Sequence, residues 1–171
     1  MPSDGEVFLG IDLGGTKVLS VVATRDGTVL AEDQRPSRGN ESPDAVIGAV
    51  ASSAAAVCEA SGARRPVAAG LASPGPIDMD RGVVTTPPNF AGWRDVPLVA
   101  RLEERLGLAV EIDNDGNLGG LGEHVFGAGR GVQHMIYIAL GTGFGAAVIA
   151  NGRIFAGATR EQAESATTVN Q

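Results

Sequence analysis

Asp12-Leu13-Gly14-Gly15-Thr16-Lys17 gathers a carboxylate, paired glycines, a hydroxyl and an ammonium into one short stretch. Glycines at such a turn let the backbone bend sharply and present N–H groups outward, a concavity that suits phosphate oxygens. Asp12 ends an apolar run and offers a carboxylate able to hold Mg²⁺ through water. The stretch is not a Walker A loop, which has four residues between its glycines and opens a helix. A second turn, Gly141-Thr142-Gly143-Phe144-Gly145, repeats the logic. It fails as a dinucleotide fingerprint, because its third glycine comes one residue early and no helix follows. Turn chemistry alone favours an ordinary Gly-rich hairpin at Gly14. Two Gly-Thr turns in one chain, one entered through an acid, favour a phosphate clamp.

Between them lies Glu111-Ile112-Asp113-Asn114-Asp115-Gly116-Asn117. Carboxylates and amides at a strand end facing a cleft accept a hydroxyl proton and hydrogen-bond polyols. The same residues are also the commonest helix caps. Cap and catalysis both stand, and different residues here can serve each.

The elements that must carry these turns read as α/β. Residues 7–12, 18–24 and 28–34 are apolar or β-branched runs joined by short turns, Asp26-Gly27 among them, so they pair antiparallel. Ser42-Pro43 opens an Ala-rich helix to Ser61, with Gly62 just past its end. Residues 67–72 form a fourth strand, parallel to the first because a helix intervenes. A stiff Ser73-Pro74-Gly75-Pro76 turn, a hairpin over 77–86, a loop over 87–93, a helix over 96–106 and a strand over 108–112 follow. Residues 113–126 are turn and helix, its glycines lowering intrinsic helix stability. Strands at 135–140, 144–150 and 153–156 close the pattern, the last two joined by Asn151-Gly152. From Thr159 the chain is polar and without period, which reads as a frayed tail.

Composition narrows the classes. With 43% hydrophobic and 19% charged residues, the chain can build a core. A formal charge of −7 and no Lys/Arg cluster beyond the Arg64-Arg65 pair argue against nucleic acid. Cys58 is the lone cysteine, which excludes an intrachain disulfide and a thiolate zinc cage. The first residues lack a leader's basic and apolar regions, and no apolar run reads as long enough to cross a bilayer. A soluble cytoplasmic protein is the economical reading.

Residues 12–17, Ser73-Pro74-Gly75-Pro76-Ile77-Asp78, Pro88-Asn89-Phe90-Ala91-Gly92-Trp93, Asn114-Asp115-Gly116-Asn117 and residues 140–145 stand in the order and spacing of a known family. From 7 to about 157 the chain resembles the ROK family of ATP-dependent sugar kinases, glucokinases above all. The resemblance implies the actin-like ATPase fold, an α/β fold of the ribonuclease H type with a mixed sheet. It implies an amino-terminal domain over 7–126, the start of a second over 127–157 and an unmatched tail over 158–171. It makes Asp12, Gly14, Gly15, Thr16 and Lys17 the first phosphate loop, with Asp12 holding Mg²⁺ through water, and Gly141, Thr142 and Gly143 the second. Asp115 becomes the general base for the sugar 6-hydroxyl, Asn114 a sugar ligand, and Asn89 and Gly75 pocket residues. The partners implied are a hexose, most of all glucose, and ATP, in a homo-oligomer without nucleic acid or membrane.

Two departures stand out. Gly116 replaces the family's usual alanine, which should loosen the helix start. The family's later Glu-x-x-Gly-His stretch, cysteine-rich zinc motif and adenosine site have no counterpart, and His124 and His134 read as helix-surface and strand-edge residues. The chain thus reads as the amino-terminal part of such an enzyme. Strand faces around Ile136, Ile138, Val148 and Ile149 should then lie bare. The alternatives are a non-catalytic sugar- or phosphate-binding remnant, or a fragment of a ROK transcriptional regulator. Against a regulator stands the position of residue 7, which leaves no room ahead of it for a DNA-binding module.

Overall fold

The structure, a computed structural model, describes residues 5–140 and 144–155. The chain divides into two compact units, Met1–Asp113 and Asn114–Gln171.

The first unit is built on a five-stranded mixed sheet, ordered β3-β2-β1-β4-β7. β1 (Val7–Leu13), β2 (Lys17–Thr24) and β3 (Val29–Pro36) pair antiparallel, while β4 (Ala69–Ser73) runs parallel to β1. β7 (Val110–Asn114) lies beyond β4. Alternation sets the core: Val7, Leu9, Ile11 and Leu13 of β1 face inward with Val18 and Val22 of β2 and Leu71 of β4.

Against that face lies α1 (Pro43–Ala60), started as its sequence predicts. Ser42 accepts a hydrogen bond from the Ala45 amide, Pro43 opens the first turn, and Asp44 sits in the same turn. Val46, Ile47, Val50, Ala54 and Val57, at helical spacing, are buried against the sheet. This helix, 18 residues at mean hydropathy 1.2, is long and apolar enough to cross a bilayer by length and composition. That corrects the expectation that no such run exists, but its apolar side is spent on the sheet.

α2 (Leu98–Leu106) packs beside α1 through Leu98 and Leu102 and stops at Gly107, whose φ of 64° is left-handed. An Arg101–Asp44 ion pair joins the two helices. β5 (Ile77–Asp78) and β6 (Val83–Val84) form the small hairpin.

One polar junction ties sheet to helix. Arg35 donates to both oxygens of Asp33 at 2.7 Å, and the buried Ser53 hydroxyl of α1 donates to Asp33 Oδ2 at 2.7 Å. The guanidinium foremost, then the hydroxyl, hold the Asp33 carboxyl below its ordinary range against the opposing effect of burial. Asp33→Asn should therefore cost about 1 kcal/mol at neutral pH, a modest figure because the pair is part-exposed. Because the folded carboxyl titrates below the unfolded one, this contribution is whole well above about pH 4, the unfolded value. It fades as pH falls through that value and is gone below the folded one. Denaturant melts of both proteins from pH 7 to pH 3 should converge.

The second unit holds α3 (Asp115–Val125) and a three-stranded sheet ordered β10-β9-β8. β8 (Met135–Leu140) and β9 (Phe144–Ala150) are antiparallel, and β10 (Arg153–Ile154) returns after Asn151-Gly152, both at positive φ as a tight hairpin requires. The compact units part at Asp113/Asn114, and α3 packs on β8 and β9. Its glycines explain how. A Cβ on Gly119 would stand 3.0 Å from the Tyr137 ring, and one on Gly120 would stand 2.5 Å from Ala147 Cβ. What weakens the helix locally lets it press against the strands.

Pleating leaves one face of β8 and β9 covered and the other bare. Ile136, Ile138 and Leu140 are 69%, 54% and 82% exposed, and Val148 opposite Ile136 is also exposed. Ile149 corrects the expectation. It is 1% exposed, since it alternates with Val148 onto the covered face.

Candidate functional site

At the carboxyl end of β1, the Gly14 amide donates to the Lys17 carbonyl at 2.9 Å and closes the turn into β2. Gly14 is not among the residues at positive φ, so close approach and not left-handed backbone constrains it. A Cβ there would meet the Lys17 carbonyl oxygen at 3.2 Å. Gly15 is tighter, its Cβ position lying 2.7 Å from Asn89 Cβ. Thr16 and Lys17 are exposed. Asp12 lies between buried Ile11 and Leu13 and therefore points to the opposite, open side of the sheet. An exposed carboxylate beside a glycine turn suits a hydrated Mg²⁺, which keeps most of its waters and takes few protein ligands. Among the described residues no cluster of three His, Cys, Asp or Glu side chains forms a metal cage.

β4 runs parallel to β1 with Ala72 beside Asp12, so Ser73-Pro74-Gly75 leaves the sheet at the same end as the Gly14 turn. Carboxyl ends of parallel strands are where open α/β sheets bind ligands. Gly75 is buried and its bond to Pro76 is cis. The following loop is pinned by Phe90 and Trp93, both buried, with ring centroids 4.9 Å apart. Asn89 stays exposed beside the Gly15 turn. Asp12, Gly14, Gly15, Lys17, Gly75 and Asn89 are thus gathered at one end of one sheet.

A third segment joins them that sequence reasoning left unassigned. Ser37 N donates to Thr16 O at 3.0 Å, and Ala91 N donates to Gly39 O at 2.8 Å. The signal was present in Arg38-Gly39-Asn40, a turn tripeptide between a strand and a helix.

In the second unit, Asn114 is buried and caps α3, its Oδ1 accepting from Gly116 N at 2.7 Å. Asp115 is exposed in the first helical turn, and its Oδ1 also accepts from Gly116 N at 2.7 Å. Asn114 caps α3, and Asp115 presents an exposed carboxylate in the first turn. Gly116 does more than loosen the helix start. A Cβ there would stand 3.2 Å from both Ala146 N and O, so its bareness seats α3 on β9. His124, read as a surface residue, is half-buried, with Nδ1 enclosed and unpartnered among the described residues. His134 fits its strand-edge reading, accepting from Asn151 N at 3.4 Å. Gly141, Thr142 and Gly143 lie outside the described residues, as does the polar tail.

A sequence model for the ROK family matches residues 8–164. The chain belongs to the ROK family. It is 37% identical over 150 residues to a glucokinase from Thermotoga maritima, covering 88% of this chain and 46% of that one. It is also 30% identical over 170 residues to a xylose repressor from Caldicellulosiruptor bescii, covering 95% of this chain and 41% of that one. Among solved structures, a ROK hexokinase from Thermus thermophilus superposes with TM-score 0.82 at 35% identity, over 92% of this chain and 51% of that one. A ROK glucokinase from Streptomyces griseus in complex with glucose and AMPPNP superposes with TM-score 0.80 at 32% identity, over 88% and 46%. The ROK chain described here thus has the actin-like ATPase fold, and it spans about half the length of the curated relatives it matches.

Proposed function

We propose that this ROK protein, at full length, transfers the γ-phosphoryl group of ATP to the 6-hydroxyl of a hexose, glucose above others. The observation that carries the reading is the junction at the carboxyl end of β1. There a glycine turn, entered through an exposed acid, packs against Asn89 at Gly15, in a chain more than a third identical to a glucokinase.

In this mechanism the amides of Gly15 and Thr16 and the Lys17 ammonium orient phosphate oxygens, while the Gly14 amide closes the turn on the Lys17 carbonyl. Asp12 would hold a hydrated Mg²⁺, which when bound neutralises phosphate charge. Gly141, Thr142 and Gly143 form the second phosphate loop. Asn89 and Gly75 line the sugar pocket, and Asn114, whose Oδ1 caps α3, is a sugar ligand. Asp115 accepts the proton of the 6-hydroxyl as that oxygen attacks. Positioning and charge stabilisation supply most of the catalysis in such transfers. The domains proposed are an amino-terminal actin-like domain and the opening of a second, cytoplasmic and closing over the substrates.

The test is ADP release by the full-length protein with Mg²⁺, ATP and a panel of hexoses. Turnover with glucose is expected, and no turnover with any hexose would remove the reading. Gly14→Val should raise the KM for ATP about tenfold or more, given 1–3 kcal/mol for a forced overlap, and change the KM for glucose less. Gly15→Val should raise both, since it displaces Asn89. Unchanged ATP kinetics in Gly14→Val would make that turn a purely structural hairpin.

The xylose repressor similarity favours one other reading, a sugar-responsive regulator. It predicts sugar binding without phosphate transfer, which the same assay with calorimetry separates.

A further inference from the structure

We propose that Gly39 is a positioning residue that locks the phosphate turn to the Asn89 loop, so that nucleotide and sugar strengthen each other's binding. The inference rests on the kinase reading above, which places phosphate at one loop and sugar at the other.

Gly39 is wedged between two carbonyl groups. A Cβ built on it would overlap the Gly15 carbonyl oxygen outright and lie 3.0 Å from the Asn89 carbonyl oxygen. Both obstacles are backbone, so neither can swing aside as a side chain tip would. Gly15 has no free space to retreat into, because its own Cβ position is already 2.7 Å from Asn89 Cβ. The three residues form a close-packed stack.

Hydrogen bonds fix the stack from both sides. Ser37 N holds the Thr16 carbonyl at 3.0 Å, and the Gly39 carbonyl takes the Ala91 amide at 2.8 Å. The segment between is itself braced. Arg38 sits at φ 62°, a left-handed conformation uncommon for a side-chain-bearing residue. Its guanidinium grips Glu41 through two hydrogen bonds of 2.8 and 2.6 Å, and the Glu41 amide returns to the Arg38 carbonyl at 2.8 Å. A braced turn bonded to each loop transmits a displacement of either one. Phosphate seated on the amides of Gly15 and Thr16 fixes Gly15, Gly15 fixes Gly39, and Gly39 fixes the backbone that carries Asn89. The order lost by the second ligand is then smaller because the first has already imposed it.

Coupling is distinct from affinity. A residue that only supports the fold weakens each ligand alone and leaves their mutual effect intact. A residue that transmits order abolishes the mutual effect. Coupling free energies between sites ordinarily correspond to about 5–150-fold, and a factor on the order of tenfold is expected here.

The experiment measures glucose affinity of the full-length protein by calorimetry, with and without saturating AMPPNP and Mg²⁺. Wild type should bind glucose about tenfold tighter with the nucleotide analogue present. Gly48→Ala is the control. It adds a methyl in α1 where only Arg105 Nη1, at 3.9 Å, is near, and should keep the full factor. In Gly39→Ala the factor should fall below about twofold. Arg38→Gly, which unbraces the turn without adding bulk, should fall between, and decides the matter if Gly39→Ala does not fold. In parallel, hydrogen exchange at the Ser37 and Ala91 amides should quicken in both turn variants, while the amides of β1 and β4 keep their protection. Coupling that persists in both variants would overturn the proposal, as would a wild type that binds both ligands independently. A protein that binds neither ligand would sink the kinase reading as well, so the two failures are distinguishable.

Discussion

Asp115→Asn in the full-length protein is expected to lower glucose turnover by about 10²–10⁴, the range for loss of a positioned general base. The amide has nearly the shape of the carboxylate but cannot take a proton at neutral pH. The fold gives little reason for collateral damage. Asp115 is exposed, and the helix start it occupies is capped independently by Asn114 through the Gly116 amide. Asp115 adds one local bond to that same amide and a negative charge at a helix N-terminus. Losing the charge costs about 0.3–1 kcal/mol of stability. Four orders of magnitude in rate correspond to about 5.4 kcal/mol, so the two effects separate cleanly. Steady-state kinetics with calorimetric glucose affinity and a thermal melt make the comparison. Near-normal turnover in a folded Asp115→Asn protein would take this residue out of the mechanism.

What could be read from sequence followed the strength of local signals. β8 and β9 fall where their apolar runs begin and end, because Gly141–Gly143 and Asn151-Gly152 punctuate them sharply. Ser42-Pro43 fixed the start of α1, and Gly107 the end of α2. Strands without such punctuation slipped: the fourth begins at Ala69 and not at Val67, and the fifth runs to Asn114 and not Ile112. Edges of that kind are set by pairing partners far along the chain, which no local window contains. The site divided the same way. Gly14, Gly15 and Asn89 could be named from motif order, but their contact could not, since it depends on close approach in space. Gly39 was missed because nothing near it carries chemistry; it matters through having no side chain. The glycines of α3 were read as a weakness of the helix, when their use is to let β8 and β9 come close.

Residues 1–171 expressed by themselves are expected to self-associate and to phosphorylate no sugar at a useful rate. The association follows from the second unit. Ile136, Ile138 and Leu140 project from one side of β8 with Val148 of β9, and α3 serves the opposite side. β8 is also the outer strand of its sheet, with its far edge unpaired among the described residues. A contiguous apolar face beside an open edge drives association, where scattered apolar residues do not. The formal charge of −7 opposes it, so association should strengthen as salt screens that repulsion. The missing turnover follows from the fold. Phosphoryl transfer in a two-domain cleft needs both reactants held in line and water excluded by closure. Residues 1–171 cover 46% of a glucokinase they match, so under the kinase reading proposed above they should not by themselves enclose both reactants. Light scattering at two salt concentrations and glucose-dependent ADP release with Mg²⁺ test both halves. Ile136→Lys combined with Ile138→Glu locates the cause. These substitutions place charge on the bare face and leave the α3 side untouched, so they should return the chain toward monomer. Association unchanged in that variant would assign it to another surface, and a monomeric wild-type chain with sustained turnover would overturn the prediction whole.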